Sequence, residues 1–171
     1  VGARRLTLLR HAQAQPHEHY AEDFERPLTR RGDAEAREMG KRIVQRGLVP
    51  DLILASPAER TWATAQIIAA ACELDQKQLL CARELYQAPA EVIMRLICAR
   101  AAGVHHVLVC GHNPGISHLA SRLGPKPEPR DLSTAGLASA LWNQAAWHGL
   151  EPETAHACEL DDPESMTDPW A

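Results

Sequence analysis

The order of apolar runs predicts an α/β domain with a mostly parallel central sheet and helices on both faces. Three observations carry this. Short apolar runs, such as Val107-Leu108-Val109-Cys110, alternate with longer stretches whose apolar residues recur at helical spacing. The short runs are continuously apolar rather than alternating, as strands covered on both faces are. The 171 residues suit one domain, with no internal repeat and no linker of domain length.

Residues 5–9, Arg5-Leu6-Thr7-Leu8-Leu9, read as the first strand. The next twenty residues are polar, hold three histidines with Pro16 and Pro27, and read as a long loop. A helix over 33–45 follows from Ala34, Met39, Ile43 and Val44, with Gly47 as its stop. Residues 51–55 form a second buried strand. Pro57 suits the first turn of a second helix, which runs through Thr64, Ile67, Ile68 and Ala71. Residues 79–81 are a short extended piece, and Pro89 opens a third helix with Val92, Ile93, Leu96 and Ile97 on its apolar side. Residues 106–110 are another buried strand, and Asn113-Pro114 opens a fourth helix through Ile116, Leu119 and Leu123. Three prolines mark a loop over 124–129, and residues 137–142 and 156–160 read as two more strands. One domain is therefore expected over residues 1–160, and the acidic, proline-containing residues 161–171 read as a surface tail.

Apolar residues make up 45% of the chain and charged residues 23%, which excludes a disordered or collagen-like chain. Aromatics are only 4 Trp, 2 Tyr and 1 Phe, so the core must be mostly Leu, Ala, Ile and Val. With 18 basic against 22 acidic residues the net charge is −4, a poor match for a nucleic-acid backbone. No apolar run approaches the roughly 18 residues of a membrane span. The run at 6–9 ends in Arg10-His11 and is no signal-peptide core. Neither nucleic acid nor membrane is an expected partner, and a cytoplasmic monomer is the expectation. The five cysteines are odd in number, form no CxxC and sit in apolar stretches, as small buried hydrophobes of a reducing compartment do.

In open α/β sheets, ligands collect where strands end and helices begin. Arg10 and His11 follow the first strand. Ser56 and Pro57 follow the second, with Arg60 one turn into the helix. Gly111, His112 and Asn113 follow the strand at 106–110. One such arginine is ordinarily a surface charge, and one such histidine a satisfied loop residue. Two of each at the junctions of one sheet need a shared partner, because crowded polar groups without one cost free energy. Guanidinium forks match phosphate oxygens in pairs, and helix N-termini add N–H groups and partial positive charge. The expected ligand is a tetrahedral anion, most simply a phosphoryl group. Two histidines also suit a metal, but no Asp, Glu or Cys stands at ligand spacing and flanking arginines repel a cation, so neither metal nor cofactor is expected.

Leu9-Arg10-His11-Ala12 resembles the Arg-His-Gly motif of the histidine phosphatase superfamily, which includes the cofactor-dependent phosphoglycerate mutases. Ser56-Pro57-Ala58-Glu59-Arg60-Thr61 resembles that family's second phosphate-binding arginine segment, and Gly111-His112-Asn113 its second catalytic histidine segment. Arg26-Pro27-Leu28-Thr29-Arg30-Arg31-Gly32 and Glu84-Leu85-Tyr86 narrow the resemblance to the small SixA-like phosphohistidine phosphatases. The match covers roughly residues 5–120. Ala12 departs from the family's glycine by one methyl, and the chain after Thr134 matches only loosely.

The resemblance implies a phosphoglycerate mutase-like fold and a metal-independent phosphatase. His11 would be the nucleophile and carry an N-phosphoryl intermediate that water cleaves. Its second ring nitrogen needs an acceptor, expected to be a backbone carbonyl. Arg10 and Arg60 would bind the equatorial oxygens, and His112 would donate a hydrogen bond to the phosphoryl group. Arg26, on the long first loop, would close over the phosphate. Glu84 stands where larger relatives carry a general acid. With only the loop at 13–31 and the stretch at 124–133 as covers, the crevice is expected to be open, which suits a phosphohistidine on a protein. The alternatives are a phosphatase of small phosphate esters and a non-hydrolytic phosphate- or phosphopeptide-binding protein. A mutase is a lesser option, since the chain lacks large closing insertions.

Overall fold

The computed structural model describes residues 2–163; residues 164–171, most of the expected tail, lie outside them. Ten principal elements follow in order. They are β1 (Arg4–Arg10), α1 (Arg30–Gln45), β2 (Leu52–Ala55), α2 (Glu59–Ala71), β3 (Leu79–Cys81), α3 (Ala90–Arg100), β4 (His106–Gly111), α4 (Gly115–Arg122), β5 (Leu137–Trp142) and β6 (Ala157–Asp161). The sheet order is β3-β2-β4-β1-β5-β6. The first four of these run parallel, and β5 pairs antiparallel with both β1 and β6.

Strand periodicity divides the core into two layers. Leu6, Leu8, Leu54, Val107 and Val109 face α3 and α4, where Ile93, Ile97, Ile116 and Leu119 meet them. Leu9, Ile53, Leu108 and Cys110 face α1 and α2 and pack on Met39, Ile43, Ala65 and Ile68. Both layers are mostly aliphatic. Trp142 and Trp147 are fully buried, and their indole N–H groups donate to the carbonyls of Glu151 and Val104.

Helix α1 begins three residues before its expected start. Thr29 caps it, its hydroxyl accepting from Gly32 N at 2.9 Å. Helix α2 begins at Glu59, so Pro57 precedes the first turn rather than sitting in it. The fourth helix ends at Arg122, with Leu123 as its cap. Asp161 closes β6 and pairs with Arg42 of α1 and with Arg46, its C-cap, which ties the edge of the sheet to that helix. Cys72 and Cys110 are buried, but Cys81 is exposed; it ends β3, the edge strand, and departs from the expected burial. Among the described residues no helix is long and apolar enough to cross a membrane.

Candidate active site

β1 and β4 lie side by side, yet α1 leaves β1 toward one face of the sheet and α4 leaves β4 toward the other. The crevice at their C-terminal ends is the switch point where such sheets bind ligands. β1 delivers Arg10 and His11 to it, β4 delivers His112, and the first turn of α2 delivers Arg60. The His11 N–H donates to Gly111 O at 3.1 Å and locks the two strand ends together.

His11 is nearly buried, and its Nδ1–H donates to Ala12 O at 2.8 Å. The expected carbonyl acceptor is therefore the next residue's own. With the proton on Nδ1, Nε2 carries the lone pair and accepts a hydrogen bond from Arg60 Nε at 3.3 Å. Burial lowers the His11 pKa to about 4; the bond to Ala12 opposes this, and the charges of Arg60, Arg10 and Arg26 add to it. His11 is a neutral imidazole at physiological pH. The extra methyl of Ala12 is fully buried among Ala36, Ala135, Leu28 and Ile67, so the departure from glycine is accommodated by packing.

The ring of His112 stands 5.4 Å from that of His11. Its Nδ1 accepts from Arg60 Nη2 at 3.3 Å, which puts the proton on Nε2, 2.7 Å from Ser56 Oγ. Burial lowers its pKa to about 3, helped by His11 and Arg60 and opposed by Asp23. To donate to a phosphoryl group, His112 must carry its proton on Nδ1. The Ser56 hydroxyl both donates and accepts, so it serves either tautomer.

Arg60 is 4% exposed, and four of its five N–H donors have partners. Its Nη1 donates to Asp23 O at 2.7 Å and its Nη2 to Asp23 Oδ2 at 2.9 Å, while Nε and Nη2 face the two histidines. Asp23 Oδ1 accepts from Arg26 Nη1 at 2.8 Å, and Oδ2 also accepts from the Tyr86 hydroxyl at 2.8 Å. Burial alone would raise the Asp23 pKa, but hydrogen bonds from Arg26, Tyr86 and Arg60 outweigh it and hold the carboxyl well below the usual range. The Tyr86 ring meets His112 edge-on at 5.4 Å and Phe24 at 5.3 Å.

Arg10 Nη1 donates to Leu132 O at 2.9 Å, so the stretch at 124–133 does reach the crevice. Arg10 Nε is buried and has no partner among the described residues. A buried N–H left unpaired costs about 1–3 kcal/mol, which a ligand oxygen would relieve.

The structure thus brings His11, His112, Arg10 and Arg60 together. Arg26 joins them through Asp23 and through a bond to Gln15 O at 2.7 Å. Glu84 does not join them, which corrects the expectation of a general acid there. The short 3-10 helix Arg83–Leu85 buries Leu85 and turns the Glu84 side chain, 53% exposed, toward Arg100 at 3.7 Å. Asp23 is a site residue that the sequence reading did not name, and Ser56 and Tyr86 stood there only within motifs, without roles of their own. The available signals were local: Asp23 lies three residues before Arg26, and Ser56 is the first residue after β2. Among the described residues no group of three or more His, Cys, Asp or Glu is placed to hold a metal.

The sequence profile of the histidine phosphatase superfamily (branch 1) matches residues 6–89. A proposed phosphohistidine phosphatase SixA from Nakamurella multipartitia superposes with a TM-score of 0.79 at 28% identity, over 95% of this chain and 98% of that one. Its counterpart from Agrobacterium tumefaciens gives 0.76 at 29% identity, over 94% and 99%. A protein histidine phosphatase SixA complexed with tungstate gives 0.71 at 26% identity, over 80% and 86%. An uncharacterised protein of Picosynechococcus sp. is 42% identical over 66 residues, 39% of this chain but only 40% of that protein's length. Profile and SixA-like fold agree with the paired histidines and arginines at the strand ends: the chain belongs to the histidine phosphatase superfamily.

Proposed function

We propose that this protein is a phosphohistidine phosphatase working through a phosphoryl group on His11, with a histidine-phosphorylated protein as substrate. His11 Nε2 attacks phosphorus, and the bond from phosphorus to the substrate imidazole breaks. The imidazole leaves and takes its proton from solvent. Water then cleaves the bond from phosphorus to Nε2, giving inorganic phosphate and free His11. Arg60 and the unpaired Arg10 N–H hold the equatorial oxygens as charge shifts.

The observation that supports this substrate is the state of Asp23. It is the carboxylate that meets Arg60, and three donors keep it ionised, so it is a poor proton donor. Glu84 points elsewhere. An alkoxide leaving group needs a proton from a general acid, whereas imidazole is a far better leaving group. The likeness to SixA-type structures points the same way. Five unpaired cysteines suit a reducing compartment, and the cytoplasm is the proposed location.

Rapid quenching after mixing with a phosphohistidine peptide is expected to trap an acid-labile phosphoryl group on His11. The His11→Ala variant should carry none and should lose several orders of magnitude in kcat. Turnover of a sugar or nucleotide phosphate far faster than of the phosphohistidine peptide would remove the substrate reading and leave a phosphatase of esters.

A further inference from the structure

Helices α1 and α2 pack side by side, Met39 and Ile43 meeting Ala65 and Ile68. A Cβ on Gly40 would stand 2.7 Å from Ala71 Cβ, so the two helices come close there. Along their outer side lies an open groove of about 810 Å³. Leu28 and Ile67 line it, and both pack against the small cluster that holds Ala12, the residue after His11. Pro27, next to Arg26, and Ala63, one turn beyond Arg60, carry the groove to the rim of the active site.

One wall is cationic. Arg30, Arg37 and Lys41 are exposed and line the groove from α1, spanning about 16 Å at 1.5 Å per residue. Arg37 is paired with Asp33 at 2.6 Å, but among the described residues neither Arg30 nor Lys41 has an ion-pair partner. Three cations against one acid stand out on a chain of net charge −4. The opposite wall, from α2, is mostly small and apolar: Ala63, Ile67, Ala70 and Ala71. An apolar floor beside a basic wall is complementary to an acidic amphipathic helix.

We infer that the α1–α2 groove is a docking surface for an acidic amphipathic segment of the phosphoprotein substrate, laid beside its phosphohistidine. This rests on the substrate reading above and adds how the substrate is selected. The segment's apolar side covers Leu28, Ile67 and Ala63, and its carboxylates meet Arg30, Arg37 and Lys41. The groove supplies contact beyond the phosphohistidine itself.

Two chemically phosphorylated peptides of equal length test this, one with glutamates along one face of its helix and one with glutamines in their place. Free phosphohistidine and an aryl phosphate are the small substrates. The wild type is expected to favour the acidic peptide at least tenfold in kcat/KM, chiefly through KM, with the preference shrinking as salt rises. R30E/R37E/K41E should abolish the preference, and Ala70→Trp, which fills the groove without changing charge, should weaken turnover of the acidic peptide. Both variants should keep wild-type rates on the aryl phosphate, which shows that they are folded. Equal turnover of the two peptides by the wild type, or a preference untouched by both variants, overturns the groove alone. Turnover of the aryl phosphate with none of any phosphohistidine substrate overturns the substrate reading, and the groove with it.

Discussion

Arg60 uses both edges of its guanidinium: the outer edge is held by Asp23, and the inner edge faces His11 Nε2 and His112 Nδ1 at 3.3 Å each. A lysine keeps the charge but has one nitrogen, which cannot reach four acceptors on two sides. Arg60→Lys is therefore expected to lower kcat/KM by roughly 10- to 150-fold, the loss of about 1.5–3 kcal/mol from charge-assisted bonds. A near-wild-type value would mean that charge without shape suffices. Glu84→Gln is expected to stay within about twofold on every substrate, because its carboxylate faces Arg100 and solvent. A large loss confined to ester substrates would restore it as a general acid. The same geometry sets the acid limit of catalysis. With the His11 pKa near 4 rather than 6.5, the neutral nucleophile persists well below pH 6, and NMR titration of its ring protons should show no midpoint between pH 5.5 and 7.5.

The first turn of α1 shows how an element holds the site. A Cβ on Gly32 would stand 2.0 Å from Gln13 O, and backbone on backbone leaves no cheap way to yield. Thr29 is bound there as well, its N–H donating to Gln13 O at 3.0 Å. Gly32→Ala should cost about 1–3 kcal/mol by overpacking and disturb the loop carrying Asp23 and Arg26. Gly103→Ala, with nothing within 4 Å of its added Cβ, is the control and should leave the melting temperature nearly unchanged. Equal melting temperatures for the two variants would show that the loop gives way freely. These contacts also mark the limit of what the sequence reveals. Strands and helices were readable because burial imposes a period, and the four strand-end residues because topology converges there. The start of α1 was not, because Arg30-Arg31-Gly32 carries no apolar period and the turn is fixed by Thr29 and by Gln13 across the loop. Asp23 was not, because its meaning lies in contacts to Arg60 and Tyr86, 37 and 63 residues away. Glu84 was misplaced because a motif gives a position in the chain, while the direction of the side chain depends on the short helix that buries Leu85.

Across the whole molecule, neutral buried histidines link the chemistry to acid stability. His11 and His112 serve the site, and His106, on the α1 side of the sheet, bridges Thr7 Oγ1 at 2.8 Å and Val49 O at 3.2 Å. Burial is the leading cause that lowers all three, to about 4, 3 and 4 for His11, His112 and His106. Each folded-state value lies below the unfolded value of 6.5, so the unfolded chain binds protons that the folded chain refuses. Their contribution is therefore fully present above pH 6.5 and is lost as pH falls through the window from 6.5 to about 4 for His11 and His106 and to about 3 for His112. Each proton taken up on unfolding steepens the dependence by about 1.4 kcal/mol per pH unit, so three give about 4 near pH 5. Against a typical total of about 5–15 kcal/mol, a loss of that size per pH unit is a large share of the stability. Calorimetry at a series of pH values is expected to show the melting temperature falling steeply below pH 6, with uptake of about three protons on unfolding. His106→Gln, which can still pair with Thr7 but does not titrate, should remove about one of the three while leaving the site histidines in place. A melting temperature flat from pH 7.5 to 5 would contradict the neutral burial of this set. It would also remove the physical reason for His11 to remain a nucleophile in mild acid, because the same desolvation produces both effects.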